Sequence, residues 1–90
     1  MRIVIYPGTF DPIHCGHLDI AERAAALFDK LIFAVAVNAE KNPLFSPKER
    51  IEMIIESTKH IPNIEAYSAD GLVADFAKKH NAVALIRGLR

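Results

Sequence analysis

Two apolar rhythms alternate along the chain. Ile3-Val4-Ile5 is a short continuous apolar run and Leu31 to Val37 a longer one, which is how strands covered on both faces look in a parallel sheet. Between them Leu18, Ala21, Ala25 and Phe28 fall at helical spacing, with Ile20, Ala24 and Leu27 widening the face, so a helix is predicted there. After the polar stretch Asn38 to Phe45, Ser46-Pro47-Lys48-Glu49 offers an N-cap, a proline at the first helical position and the glutamate of a capping box. The second helix so started has Ile51, Ile54, Ile55 and Thr58 as its expected inner stripe. Pro62-Asn63 breaks the chain before Ile64-Glu65-Ala66-Tyr67, whose alternation reads as a half-exposed edge strand. Asp70 is the expected cap of a third helix with Leu72, Val73, Phe76, Ala77 and His80 on one face; Asn81 ends it, and Ala82 to Ile86 is a fourth apolar strand.

The resulting order, βαβαβαβ with short links, predicts an α/β chain built as a doubly wound parallel sheet of about four strands, with helices on both faces. Strands one, two and four read as buried and strand three as an edge, which fits the order 3-2-1-4. The winding then reverses between strands one and four, and ligands of such sheets bind at the carboxyl ends of the strands beside that switch. The polar residues that follow strands one, two and four are Thr9, His14 and His17, then Lys41, then Arg87 and Arg90.

Ninety residues, 51% apolar and 24% charged, suit one small globular domain. The formal net charge of zero removes the basic field expected of a nucleic-acid binder. No apolar run nears the length of a membrane span, and the N-terminus has no charged region leading into an apolar one, so a cytoplasmic chain without a membrane partner is expected. Cys15 is the single cysteine, which excludes an internal disulfide and a cysteine-rich zinc site. Its place at a helix start could lower its pKa, yet it reads as an incidental loop residue, and no metal-ligating set is expected.

The chemistry concentrates in Tyr6-Pro7-Gly8-Thr9-Phe10-Asp11-Pro12-Ile13-His14-Cys15-Gly16-His17. A loop punctuated by glycine and proline that opens a helix presents backbone N–H groups and a helix dipole to an anion, and a phosphate is the natural guest. His14 and His17, three residues apart, can face the same guest. Neither GxGxxG nor GxxxxGK[ST] is present. At the other end Arg87-Gly88-Leu89-Arg90 puts two guanidiniums beside a glycine, a pattern suited to clamping phosphate.

The first string resembles the HxGH signature of the nucleotidyltransferase superfamily, whose members share a Rossmann-like fold. Together with Leu85-Ile86-Arg87-Gly88-Leu89-Arg90 it is similar, along all ninety residues, to the bacterial phosphopantetheine adenylyltransferases. His14 departs from that family, which usually has threonine there, and agrees with the wider superfamily. The resemblance implies transfer of AMP from ATP, with Mg2+, to 4′-phosphopantetheine, giving dephospho-coenzyme A and pyrophosphate. It implies Thr9 at the acceptor phosphate and, with Phe10, at the nucleotide; His17 on the α-phosphate, with His14 beside it; Lys41 at the acceptor phosphate; Val73 and Arg87 at pantetheine; and Gly88, Leu89 and Arg90 at ATP. His17, Lys41 and Thr9 are the residues expected to carry catalysis. Full-length members of the family continue well past position 90 and assemble as hexamers, and coenzyme A is a feedback ligand, so the chain is expected to be a truncated piece of a homo-oligomeric enzyme. Two alternatives stay open: another acceptor, such as nicotinate mononucleotide, and a nucleotide-binding module without turnover.

Overall fold

Four parallel strands pair in the order β3-β2-β1-β4: β1 is Ile3–Gly8, β2 Lys30–Ala36, β3 Ile64–Ala69 and β4 Ala84–Leu85. Helices α1 (Cys15–Leu27), α2 (Pro47–Ser57) and α3 (Val73–Lys79) make the crossovers. The structure is a computed structural model that describes residues 1–37 and 45–87. The predicted fold class and strand order are therefore both observed, with the β1/β4 switch where the sequence placed it.

Strand alternation divides the core into two layers. Val4, Tyr6, Leu31, Phe33, Val35 and Ala66 meet Ala21 of α1 and Ile54 of α2 on one face. Ile5, Ile32, Ala34 and Ala69 meet Phe76 and Ala77 of α3 on the other. A period of two along buried strands puts successive residues on opposite faces, so near-continuous apolar runs are what a sheet covered on both sides requires.

The capping box of α2 forms as predicted: Glu49 N–H donates to Ser46 Oγ at 3.1 Å and Ser46 N–H donates to Glu49 Oε1 at 2.9 Å. Asn63, expected only as a breaker, closes α1 from below, its Nδ2 donating to the carbonyls of Ala25, Phe28 and Asp29 at 2.8, 3.2 and 3.3 Å. No helix among the described residues is long and apolar enough to cross a membrane.

Several expectations need correction. β1 continues past Ile5 to Gly8, because β2 pairs with it through Gly8↔Val35. On the other side Val83 and Ile86 N–H groups donate to the carbonyls of Ile3 and Ile5. Pro7, the next residue turned that way, has no N–H to donate, and the β1–β4 ladder stops at Leu85. The fourth strand is thus two residues long and half open to solvent, with Leu85 44% exposed, rather than buried. In α1 only Ala21 and Ala25 are buried; Leu27 is 71% exposed and Ile20 also faces out, so the apolar stripe is narrower than expected. In α2 Ile55 is 52% exposed, and its expected place in the stripe is taken by Arg50. Asp70 does not cap α3, whose N-cap is Leu72, with no side-chain hydrogen bond.

Candidate nucleotide-phosphate site at the end of the first strand

Local sequence builds the start of α1 from two imidazoles. His14 is the N-cap, with extended backbone, and its Nδ1 accepts the Gly16 N–H at 3.1 Å. His17, at the third helical position, accepts the His14 N–H at its own Nδ1, also at 3.1 Å. This is a capping box in which histidines stand where Ser or Thr and Glu or Gln usually do. The two rings stack at 3.7 Å between centroids. Gly16 leaves space beneath them, since a Cβ there would crowd His14 Cε1 at 3.0 Å.

The hydrogen bond fixes a tautomer. Because Nδ1 of His17 accepts, the neutral ring carries its proton on Nε2, which is left to donate outward. Burial lowers the His17 pKa below its ordinary value, and the charge of His14 lowers it further. At neutral pH His17 is accordingly a neutral donor.

Beneath His17 lies an aromatic floor. Phe10 adopts a left-handed backbone, φ 49°, which a non-glycine residue holds only where its surroundings over-determine it, at a cost of roughly 1–3 kcal/mol. Its ring is fully buried, 4.8 Å from His17, 5.2 Å from Tyr6 and 5.0 Å from Phe33. Gly8 makes room for it, because a Cβ at position 8 would meet the Phe10 ring at 3.0 Å. The backward turn at Phe10 thus ends the strand and places its ring under the catalytic candidate.

Two residues that sequence reasoning passed over hold this loop. Arg50 is 2% exposed, and its Nη1 donates to the carbonyls of Thr9 at 2.9 Å and Ala36 at 3.1 Å. Asp11 Oδ1 accepts the Phe45 N–H at 2.9 Å. The signal for Arg50 was readable, since it precedes Ile54 by four residues and Thr58 by eight and so falls in phase with the buried stripe.

A sequence model of the cytidylyltransferase-like family matches residues 5–90. The chain belongs to that family. It is 59% identical over 90 residues to phosphopantetheine adenylyltransferase of Caldanaerobacter subterraneus subsp. tengcongensis and 57% identical over 90 to that of Carboxydothermus hydrogenoformans. Each match takes in all of this chain and 56% of the relative, so the chain spans little more than half the length of these curated relatives. The resemblance read from Tyr6–His17 and Leu85–Arg90 is borne out. Among solved structures, a lipopolysaccharide core biosynthesis protein from Thermoplasma volcanium superposes on 94% of this chain, and 72% of its own, with a TM-score of 0.72 at 22% identity. NadR in complex with NAD and AMP-PNP superposes on 92% of this chain and 28% of its own, with a TM-score of 0.70 at 22% identity. Both share the fold.

In this cytidylyltransferase-like chain Thr9, Phe10, His14 and His17 gather at the carboxyl end of β1. Arg87 lies two residues beyond β4, the strand that neighbours β1, and is exposed. Val73 opens α3 and is half-buried. Lys41, Gly88, Leu89 and Arg90 lie outside the described residues. A cavity of about 440 Å³ opens between β3 and α3, lined by Tyr67, Asp70, Phe76 and His80 among others, apart from the residues of the β1 loop. Its wall is braced by Tyr67 Oη donating to Glu65 Oε1 at 2.7 Å, with Lys30 Nζ 3.1 Å from Glu65 Oε2. Those two contacts, the Tyr67 bond first, hold the Glu65 carboxyl below its ordinary pKa.

Proposed function

We propose that this chain supplies the phosphate-binding loop of an adenylyltransferase that moves AMP from MgATP to 4′-phosphopantetheine, releasing pyrophosphate and dephospho-coenzyme A. The observation that carries the reading is the setting of His17: an imidazole in the first turn of a helix whose Nδ1 accepts the His14 N–H, which leaves Nε2–H as the free donor.

In the reaction an oxygen of the acceptor phosphate attacks the α-phosphorus of ATP. A new P–O bond forms, the bond from the α-phosphorus to the bridging oxygen breaks, and that oxygen leaves with pyrophosphate. No side-chain nucleophile is needed, so the protein's part is to orient two anions and to stabilise the charge that develops between them. His17 Nε2–H donates to an α-phosphate oxygen, and a neutral donor does so without a proton change during the reaction. Thr9 and Phe10 lie along the nucleotide, with Thr9 also reaching the acceptor phosphate beside Lys41. His14 holds the helix start by its Nδ1 and keeps its other nitrogen toward the nucleotide. Val73 and Arg87 receive the pantetheine arm, and Gly88 to Arg90 close on ATP.

A magnesium ion arriving with ATP would take most of its ligands from phosphate oxygens and water. Its chemistry is to neutralise charge on the leaving pyrophosphate. The same reading carries a homo-oligomer, hexameric as in full-length relatives, working in the cytoplasm with coenzyme A as feedback ligand.

The test is pyrophosphate release from MgATP with 4′-phosphopantetheine and, separately, with nicotinate mononucleotide, alongside calorimetry with ATP. Release with phosphopantetheine alone supports the reading. Release with the mononucleotide alone reassigns the acceptor, and ATP binding without release under either condition makes the chain a nucleotide-binding module.

A further inference from the structure

We infer that Arg50 is a positioning residue for the nucleotide loop, holding Phe10 and through it His17 in place; the inference rests on the adenylyl-transfer reading above. The guanidinium lies almost wholly out of water and meets two backbone carbonyls. Its Nε, itself buried, finds no hydrogen-bond acceptor among the described residues. Burying a cation against carbonyl dipoles, with one donor unpaired, is a poor way to stabilise a helix–sheet contact. An apolar side chain in the same stripe would meet Ile54 and the sheet without that cost. What Arg50 does provide is a rigid bridge between the residue just beyond β1, Thr9, and the last residue of β2, Ala36.

Those are the two strand ends from which the expected phosphate contacts depart. Thr9 immediately precedes Phe10, whose left-handed backbone sets the ring under His17 at 4.8 Å. On the far side of Phe10, Asp11 is tied to Phe45, just ahead of α2. The strained residue is thus gripped from both neighbours by the start of α2. Releasing the Thr9 side lets Phe10 relax toward an ordinary conformation, and His17 loses its floor.

The test compares Arg50→Met, which keeps length but neither charge nor fork, and Arg50→Lys, which keeps charge, with Ile54→Val as a control on the same helix face. The readouts are steady-state pyrophosphate release and amide hydrogen exchange. The expected result is that Arg50→Met lowers kcat about 10-fold or more with the KM for ATP within about 3-fold. Exchange quickens at Phe10 and Val37 beyond any general rise, Arg50→Lys recovers part of the rate, and Ile54→Val leaves kcat alone. Wild-type kcat in Arg50→Met, or an equal loss in Ile54→Val, overturns the inference. If the wild-type protein releases no pyrophosphate with either acceptor, the adenylyl-transfer reading fails by itself. Exchange then decides Arg50: a change confined to Phe10 and Val37 upholds the positioning role, and a uniform or absent change removes it. If neither Arg50 variant folds while Ile54→Val does, Arg50 serves the fold and the inference falls.

Discussion

Acidification should undo the start of α1, because both acceptors in its capping box are imidazole nitrogens. An imidazolium has no lone pair at Nδ1, so protonating His17 removes the bond from the His14 N–H. The sign follows from His17, whose native pKa lies below the ordinary value of 6.5 through burial and then the charge of His14. The unfolded chain takes up that proton first, so the stabilisation is complete above about pH 6.5 and is lost as pH falls through the lower native value. Losing a cap costs about 0.5–2 kcal/mol. A cation at a helix N-terminus adds about 0.3–1 kcal/mol. The expected loss between pH 7.5 and 5 is about 1–2 kcal/mol, a fall in Tm of about 5–15 °C for a chain of this size. The comparison is the double variant His14→Asn, His17→Gln, which rebuilds the box from groups that do not titrate there. His60 and His80 are common to both proteins, so their contributions cancel. Thermal melts across this range should show wild type losing more than the variant by that amount. Parallel curves would mean that the imidazole nitrogens do not hold the cap.

His17→Ala should lower pyrophosphate release on the order of 100-fold while ATP affinity measured by calorimetry weakens less, since the donor acts mainly on the developing charge; unchanged turnover would remove His17 from the mechanism. Ile54→Ala, at a fully buried position in the α2 stripe, should cost about 2–5 kcal/mol by urea unfolding, and a loss under about 1 kcal/mol would show that α2 repacks freely. Asn63→Asp keeps the shape but turns a donor into an acceptor facing the carbonyls of Ala25, Phe28 and Asp29, and should cost about 1–3 kcal/mol in the same assay. An equal stability for Asn63→Asp would mean that water satisfies the α1 terminus instead.

The parts of the fold visible in the sequence are those whose cause lies within a few residues. Ser46, Pro47 and Glu49 specify the start of α2 because the cap bonds span three positions. The unbroken run from Leu31 to Val35 is buried on both faces, and that requires a central parallel strand. Once strands and helices alternate with short links, few topologies remain, and the β1/β4 switch points to the loop that holds Thr9, His14 and His17. The pairing of His14 with His17 follows from the same three-residue spacing.

Other features depend on neighbours far away in the chain. That Ile55 faces water and Arg50 the sheet was settled by how α2 lies against β2 and β3, not by hydropathy. The two carbonyls that hold Arg50 are 41 and 14 residues away, and nothing local to either end announces them. The left-handed turn at Phe10 is held by Tyr6, Phe33 and His17 around its ring and by the bonds to Thr9 and Asp11 on either side of it, none of them local in the chain beyond the loop itself. Periodicity and capping operate within a helical turn, so the amino-acid order alone settled the elements and their sequence. Burial and ring packing are set by strands brought together across the sheet, so only the tertiary structure decided which side chains support the site.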